Sequence, residues 1–171
     1  MSPELDKKIC AKYPILYSER HAPVRSASMR FGFQHDDGWY ELMDCLSAKL
    51  EALNKRYPEN PIVASCVKEK FGTLRFHCKF NADKDVPEEV KKELYAAEEE
   101  AVRKSCITCE KCGARGKLRI YFYWYTTLCR KCGHERCKER AAQRLERQIS
   151  SQKMEEDRKA QDGRKKKQIS Q

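Results

Sequence analysis

From Asp37 to Arg56 the apolar residues Trp39, Leu42, Met43, Leu46, Leu50 and Leu53 recur at steps of three and four. That spacing puts them on one face of a helix, so the pattern predicts an amphipathic helix over about 37–56. Glu51, Lys55 and Arg56 are expected on its solvent side. Asp36 or Asp37 can cap its first N–H groups. Tyr57-Pro58 closes it, because the residue before a proline is driven out of the α region. Residues 62–70 read as a strand and Phe71-Gly72 as a turn. Residues 73–80 then alternate, with Leu74, Phe76, Cys78 and Phe80 on one face and Thr73, Arg75, His77 and Lys79 on the other. These strands predict a hairpin whose apolar face packs on the helix and whose other face is basic. After a polar loop, Pro87 suits the first turn of a second helix over about 87–105. Val90, Leu94, Ala97, Ala101 and Val102 form its thin apolar stripe, with Glu98-Glu99-Glu100 outward. Before residue 37 the periodicity is weak. Residues 13–17 and Phe31-Gly32-Phe33 are short apolar patches, expected as short strands or anchored loops that dock on the domain.

The later part of the chain changes character. Cys109-Glu110-Lys111-Cys112-Gly113 and Cys129-Arg130-Lys131-Cys132-Gly133 are two Cys-x-x-Cys pairs, each followed by Gly and separated by sixteen residues. This spacing is a strong signal for structural Zn²⁺, which takes a closed tetrahedron of thiolates at about 2.3 Å. A glycine behind each pair can take positive φ and let backbone N–H groups turn towards the sulfurs. Cys106 offers a competing first pair, while Cys112 and Gly113 favour the later register. His134 and Cys137 follow the second pair and could each substitute for a ligand. Cys10, Cys45, Cys66 and Cys78 are expected as small buried residues. His35-Asp36-Asp37 reads as a helix cap in preference to a metal site. Residues 117–128 are rich in aromatic and β-branched side chains and read as strands. Their cluster around Trp124 is expected to cover the metal and the main core.

From Glu135 to about Ala160 the pattern is helical and charged, with Leu145, Ile149 and Met154 its few large apolar residues. Residues 163–167, Gly-Arg-Lys-Lys-Lys, are expected to lack structure. Residues 134–171 hold twelve Lys and Arg against seven Asp and Glu, a net of +5 out of +10 for the whole chain of 171 residues. At 36% charged, 40% hydrophobic and a mean hydropathy of −0.88, the sequence suits one modest domain with appendages. No apolar run reaches membrane-spanning length. Residues 1–8 lack the apolar stretch of a signal peptide. The ten cysteines are therefore expected in a reducing cytoplasm, where metal binding prevails over disulfides.

A net charge of +10 with a pI near 9.1 favours polyanionic partners. Lys111, Arg115, Lys117, Arg119, Arg130 and Lys131 lie on or between the cysteine pairs, interleaved with Tyr121, Tyr123 and Tyr125. Cations with exposed aromatics suit nucleic-acid backbones and unstacked bases. If the aromatics are buried, the same cations merely solubilise. Four thiolates would close the zinc shell and leave no position for water or substrate, so no catalysis is expected at the metal. The Leu128–His134 knuckle is like that of His-Asn-His-type nucleases, but residues 113–128 contain no His, Asp, Asn or Glu to serve as base or metal ligand. No phosphate-binding loop, dinucleotide fingerprint or nucleophile elbow is present. The expectation is a protein that is not an enzyme and takes no small-molecule substrate.

Four segments, Asp37-Gly38-Trp39, residues 67–76 (Val-Lys-Glu-Lys-Phe-Gly-Thr-Leu-Arg-Phe), Cys109–Gly113 and Thr127-Leu128-Cys129, resemble a family of small proteins encoded by tailed phages and prophages. The likeness spans about residues 13–133. It implies an accessory role in the host cytoplasm and transfers no catalytic residues. The reading is thus an α+β protein: a docking segment (1–36), a core with a helix packed on a β-hairpin (37–105), a zinc ribbon or treble-clef-like lobe (106–140), and a charged helical or disordered basic tail (141–171). Its expected function is zinc-dependent contact with nucleic acid, or with a machine acting on it. The alternative is a protein-binding inhibitor or modulator of a host enzyme or defence system.

Overall fold

The computed structural model describes residues 1–21, 28–80, 85–121 and 123–169, with residues 156, 157 and 160–169 as backbone alone. It is α+β, with four helices and two small antiparallel sheets: α1 (Pro3–Lys12), α2 (Tyr40–Arg56), β1 (Ile62–Lys70), β2 (Thr73–Phe80), α3 (Glu88–Ser105), β3 (Lys117–Tyr121), β4 (Trp124–Leu128) and α4 (Arg130–Ile169). The chain divides into two compact units, Met1–Cys132 and Gly133–Gln171.

In the first unit, β1 and β2 pair along their whole length, from Ile62 opposite Phe80 to Lys70 opposite Thr73, with one bulge between Ala64 and Cys66. The apolar stripe of α2 is buried throughout, and Leu74 and Phe76 of β2 meet it in one core with Leu94, Ala97 and Ala101 of α3. Buried Asn54 fixes the start of β1 by pairing with both backbone polar groups of one residue. Its Nδ2–H donates to the Ile62 carbonyl (3.0 Å) and its Oδ1 accepts the Ile62 N–H (2.7 Å). The open edge of β1 is covered by residue 34: the Gln34 N–H donates to Val67 O, and the Glu69 N–H donates to Gln34 O, both at 2.9 Å. An exposed strand edge would otherwise invite pairing with another chain.

Four sequence expectations need correction here. Residues 3–12 form a helix that the weak N-terminal periodicity conceals. Ser2 and Pro3 mark its start, and Ile9 is its fully buried apolar residue. Neither Asp36 nor Asp37 caps a helix with its side chain; the entry to α2 is a 3₁₀ turn over Asp37–Trp39, and Asp37 Oδ1 instead accepts the Ser2 N–H. Cys45 is exposed, whereas Cys10, Cys66 and Cys78 are half-buried. Burial, with Asp6 alongside, pushes the Cys10 thiol up to about 12.

Glu51 is buried, not solvated. Its carboxylate accepts the backbone N–H of Leu16 (3.0 Å) and of Ile15 (3.4 Å), and the Leu16 carbonyl accepts the Ala64 N–H (2.8 Å). The 13–17 segment is thereby tied to both α2 and β1, which puts Tyr13, Leu16 and Tyr17 into the core. Ala at position 51 would leave a buried N–H without an acceptor, which costs about 2 kcal/mol. Urea denaturation of Glu51→Ala should show a loss of that order. A change within about 0.5 kcal/mol, typical of a surface site, would refute the role given to this carboxylate.

In the second unit, α4 is polar nearly all round, with Leu145, Ile149 and Met154 exposed and Glu155 paired to Lys159 at 2.8 Å. The helix extends through Ile169, so its backbone covers the 163–167 stretch expected to lack structure. Among the described residues no helix is long and apolar enough to cross a membrane.

Candidate metal centre

Two local structures aim the four cysteines at one point. The first is a tight turn after α3. The Cys109 N–H donates to Ala114 O (2.7 Å), the Gly113 N–H returns to Cys109 O (2.8 Å), and the Gly116 N–H donates to Ile107 O (2.8 Å). Gly113 closes this turn at φ +76°, a conformation glycine adopts without a Cβ clash. The second is the start of α4. Cys129 immediately precedes the helix and Cys132 lies in its first turn, with the Cys132 N–H donating to Cys129 Sγ at 3.4 Å. Gly133 lies inside that helix and is not among the glycines with positive φ, contrary to the sequence expectation of two equivalent knuckles. The β3–β4 hairpin connects the two structures, and the Glu110 N–H donates to Thr127 O (2.9 Å) to lay the turn along β4.

The sulfurs of Cys109, Cys112, Cys129 and Cys132 lie within 4.8 Å of one another. Those of Cys112 and Cys129 are 3.7 Å apart, close to the edge of about 3.8 Å that a tetrahedron with metal–sulfur bonds of about 2.3 Å requires. Among the described residues this is the group able to hold a metal ion. Cys106 stands outside it, with its Sγ donating to Val102 O at 3.3 Å. His134 and Cys137 are not part of it either. Nor is His35, which is buried with its Nδ1 2.8 Å from Asp36 O. Burial holds the His35 ring at about 4, well below its ordinary value, and therefore neutral. The Cys129 thiol is held down to about 7, chiefly by the Cys132 N–H, as at other helix N-termini. Burial pushes Cys109 and Cys132 up. A metal ion would offset that desolvation with direct charge. With all four thiolates bound there is no open coordination position, so the donor set fits a structural site.

The centre is built onto the core by close backbone contacts. A Cβ on Gly38 would lie 2.3 Å from Cys109 O, 2.4 Å from Gly113 N and 2.5 Å from Cys112 N. The Gly38 N–H donates to Glu110 O at 2.7 Å, and Trp39 Nε1–H donates to Thr108 O at 2.9 Å. On the other side, Thr127 Oγ1–H donates to Gly72 O (2.6 Å) and Leu118 packs on Gly72. The Glu110 carboxylate accepts the Asp36 N–H (3.3 Å) and the Thr126 hydroxyl (3.4 Å). Residues 37–39, 67–76, 109–113 and 127–129 thus converge here. Gly38, Gly72, Glu110 and Thr127 support the centre without touching a metal. Sequence reasoning missed that role, although Gly between Asp37 and Trp39 at a helix start was a readable sign of close backbone approach.

Lys111, Arg115, Lys117, Arg130 and Lys131 are exposed around the centre; Arg119 is half-buried on β3 with its Nε shielded from solvent. The aromatic residues do not cover the metal as expected. Among the described residues of that cluster Tyr121 packs against the cysteines, while Tyr123, Trp124 and Tyr125 are exposed. β3 and β4 form a single two-stranded layer, which leaves the rings of Tyr123, Trp124 and Tyr125 uncovered. Phe122 lies outside the described residues. Compared with family models, curated proteins and solved structures, the chain finds no match in any of the three.

Proposed function

We propose that Cys109, Cys112, Cys129 and Cys132 bind one Zn²⁺, and that the protein is a non-enzymatic phage accessory factor contacting nucleic acid, or a machine acting on it, in the host cytoplasm. The observation that carries the metal assignment is the convergence of four sulfurs from a turn and a helix start. Zinc held there supplies folding free energy and no reactive position. Turn, hairpin and helix follow in treble-clef order, and we assign the lobe to that class in preference to a ribbon. Exposed Lys111, Arg115, Lys117, Arg130 and Lys131 around the centre, in a chain of net charge +10, favour a polyanionic partner.

Binding to labelled DNA or RNA should weaken steeply with salt, because each neutralised phosphate releases counterions. A double variant, Arg115→Gln with Lys117→Gln, should flatten the log–log salt slope by roughly 0.7–0.9 per lost phosphate contact. Fluorescence anisotropy over a salt series measures both effects. Absence of binding at low ionic strength would move the partner to a protein, and a nuclease-treated pull-down from host lysate would then identify it.

A further inference from the structure

Both β-hairpins of the first unit end in an aromatic residue held in a backbone conformation that aromatic side chains avoid. Phe71, at the β1–β2 turn, has φ 56°, and Tyr123, at the β3–β4 turn, has φ 69°. Glycine is the ordinary occupant of such positions, and a bulky residue there is strained. Neither ring recovers that strain by burial: Phe71 is 59% exposed and Tyr123 98%. Strain held with so little burial points to a use outside the fold.

Phe71 and Tyr123 line one groove of about 420 Å³, together with Trp124, Tyr125, Lys68, Glu69 and Lys70. Trp124 is 60% exposed and Tyr125 41%. The Phe71 ring meets Tyr125 edge-on, with centroids 6.1 Å apart and planes at 87°, and Lys70 Nζ lies 5.3 Å from its centroid. Glu69 is turned to its own strand end, where its carboxylate accepts the Gly72 N–H. Lys68 stands opposite Arg75 in the strand register, so the cationic face of the β1–β2 hairpin continues from the groove.

This combination selects its occupant. A wholly apolar ligand would bury Lys68 and Lys70 without a counter-charge. A duplex hides its base faces by stacking them on one another. A single strand offers both flat π faces and a phosphate chain, which rings and lysines can take together. We propose that the groove is a site for single-stranded nucleic acid, with unstacked bases on Phe71, Tyr123 and Trp124 and phosphates against Lys68 and Lys70. The proposal rests on the nucleic-acid reading above and adds strandedness and a binding site outside the cysteine lobe's cationic rim.

The strained turns make the test clean, because glycine at 71 and 123 removes each ring and relieves the backbone. Full-length protein, wild type and Phe71→Gly/Tyr123→Gly, is titrated into fluorescein-labelled oligo(dT) and oligo(rU) of about a dozen residues, and into a duplex of equal length. Wild type should bind the single strands more tightly than the duplex. The double variant should lose at least about tenfold per ring on the single strands while keeping its melting temperature. A second variant, Lys68→Gln/Lys70→Gln, leaves the rings in place and should lower the log–log salt slope by roughly 0.7 per lysine. Unchanged single-strand affinity in the glycine variant, or preference for the duplex, overturns the groove proposal and leaves the nucleic-acid reading standing. Absence of binding to all three probes overturns both. Self-association in sedimentation that the glycine variant abolishes would assign the groove to a second copy of the chain.

Discussion

Cys109→Ser should reduce bound zinc from one ion per chain to none and leave residues 106–132 open to proteolysis. Cys109 is fully buried, in one cluster with Leu128 and Cys132. A serine hydroxyl in its place is a poor zinc ligand and a buried polar group. Structural zinc contributes on the order of 10–16 kcal/mol of apparent binding free energy in small zinc-finger peptides. Among the described residues the lobe's apolar cluster is small: Cys109, Leu128 and Cys132, with Tyr121 and Cys129 half-buried against it. The effect should therefore be among the largest of any single substitution in the chain. Metal content by mass spectrometry and limited trypsin digestion measure the two parts separately. Stoichiometric zinc retained in the variant would promote Cys106, His134 or Cys137 to ligand.

Gly38→Ala should damage the same centre without touching a ligand. The added methyl would meet three backbone atoms of the 109–113 turn, at 2.3 Å, 2.4 Å and 2.5 Å, and backbone in a hydrogen-bonded turn cannot step aside as a side-chain tip can. The Gly38–Glu110 and Trp39–Thr108 hydrogen bonds join the same two segments. Separating α2 from the turn strains both. Overpacking of this kind costs about 3 kcal/mol, which lowers Tm by roughly 6–12 °C in a protein of this size. Zinc affinity should fall with it, since the turn carries Cys109 and Cys112. A thermal melt and a zinc competition titration of the variant test both; an unchanged Tm would mean that the turn and α2 are not in the contact described.

What the sequence revealed depended on whether a signal was local. The β1–β2 hairpin has the boundaries the sequence predicts, the stripe of α2 is buried where its spacing puts it, and so is that of α3 except for Val102, which is half-buried. These patterns are written in consecutive residues and survive any tertiary arrangement. Glu51 was misplaced because its burial depends on the 13–17 segment, far away in sequence, bringing two N–H groups to it. Asp37 was misplaced for the same reason: Ser2 takes its carboxylate. Helix α1 escaped notice because its apolar face is little more than Leu5 and Ile9, although Ser2, Pro3 and Glu4 supply a legible start. The cysteine spacing identifies a set of candidate ligands, but not that one pair sits on a turn and the other on a helix start. Nor could period two say which face of β3–β4 is covered. In a hairpin one layer thick that depends on its neighbour, here the β1–β2 turn at Gly72.

The central claim is a metal ion bound by four thiolates. X-ray absorption at the zinc edge of the full-length protein, purified without added metal, tests it most directly. The expected spectrum has four sulfur neighbours at about 2.3 Å and no lighter atom in the shell. A shell containing nitrogen or oxygen at about 2.0–2.2 Å, or protein without stoichiometric zinc, would contradict the assignment of Cys109, Cys112, Cys129 and Cys132.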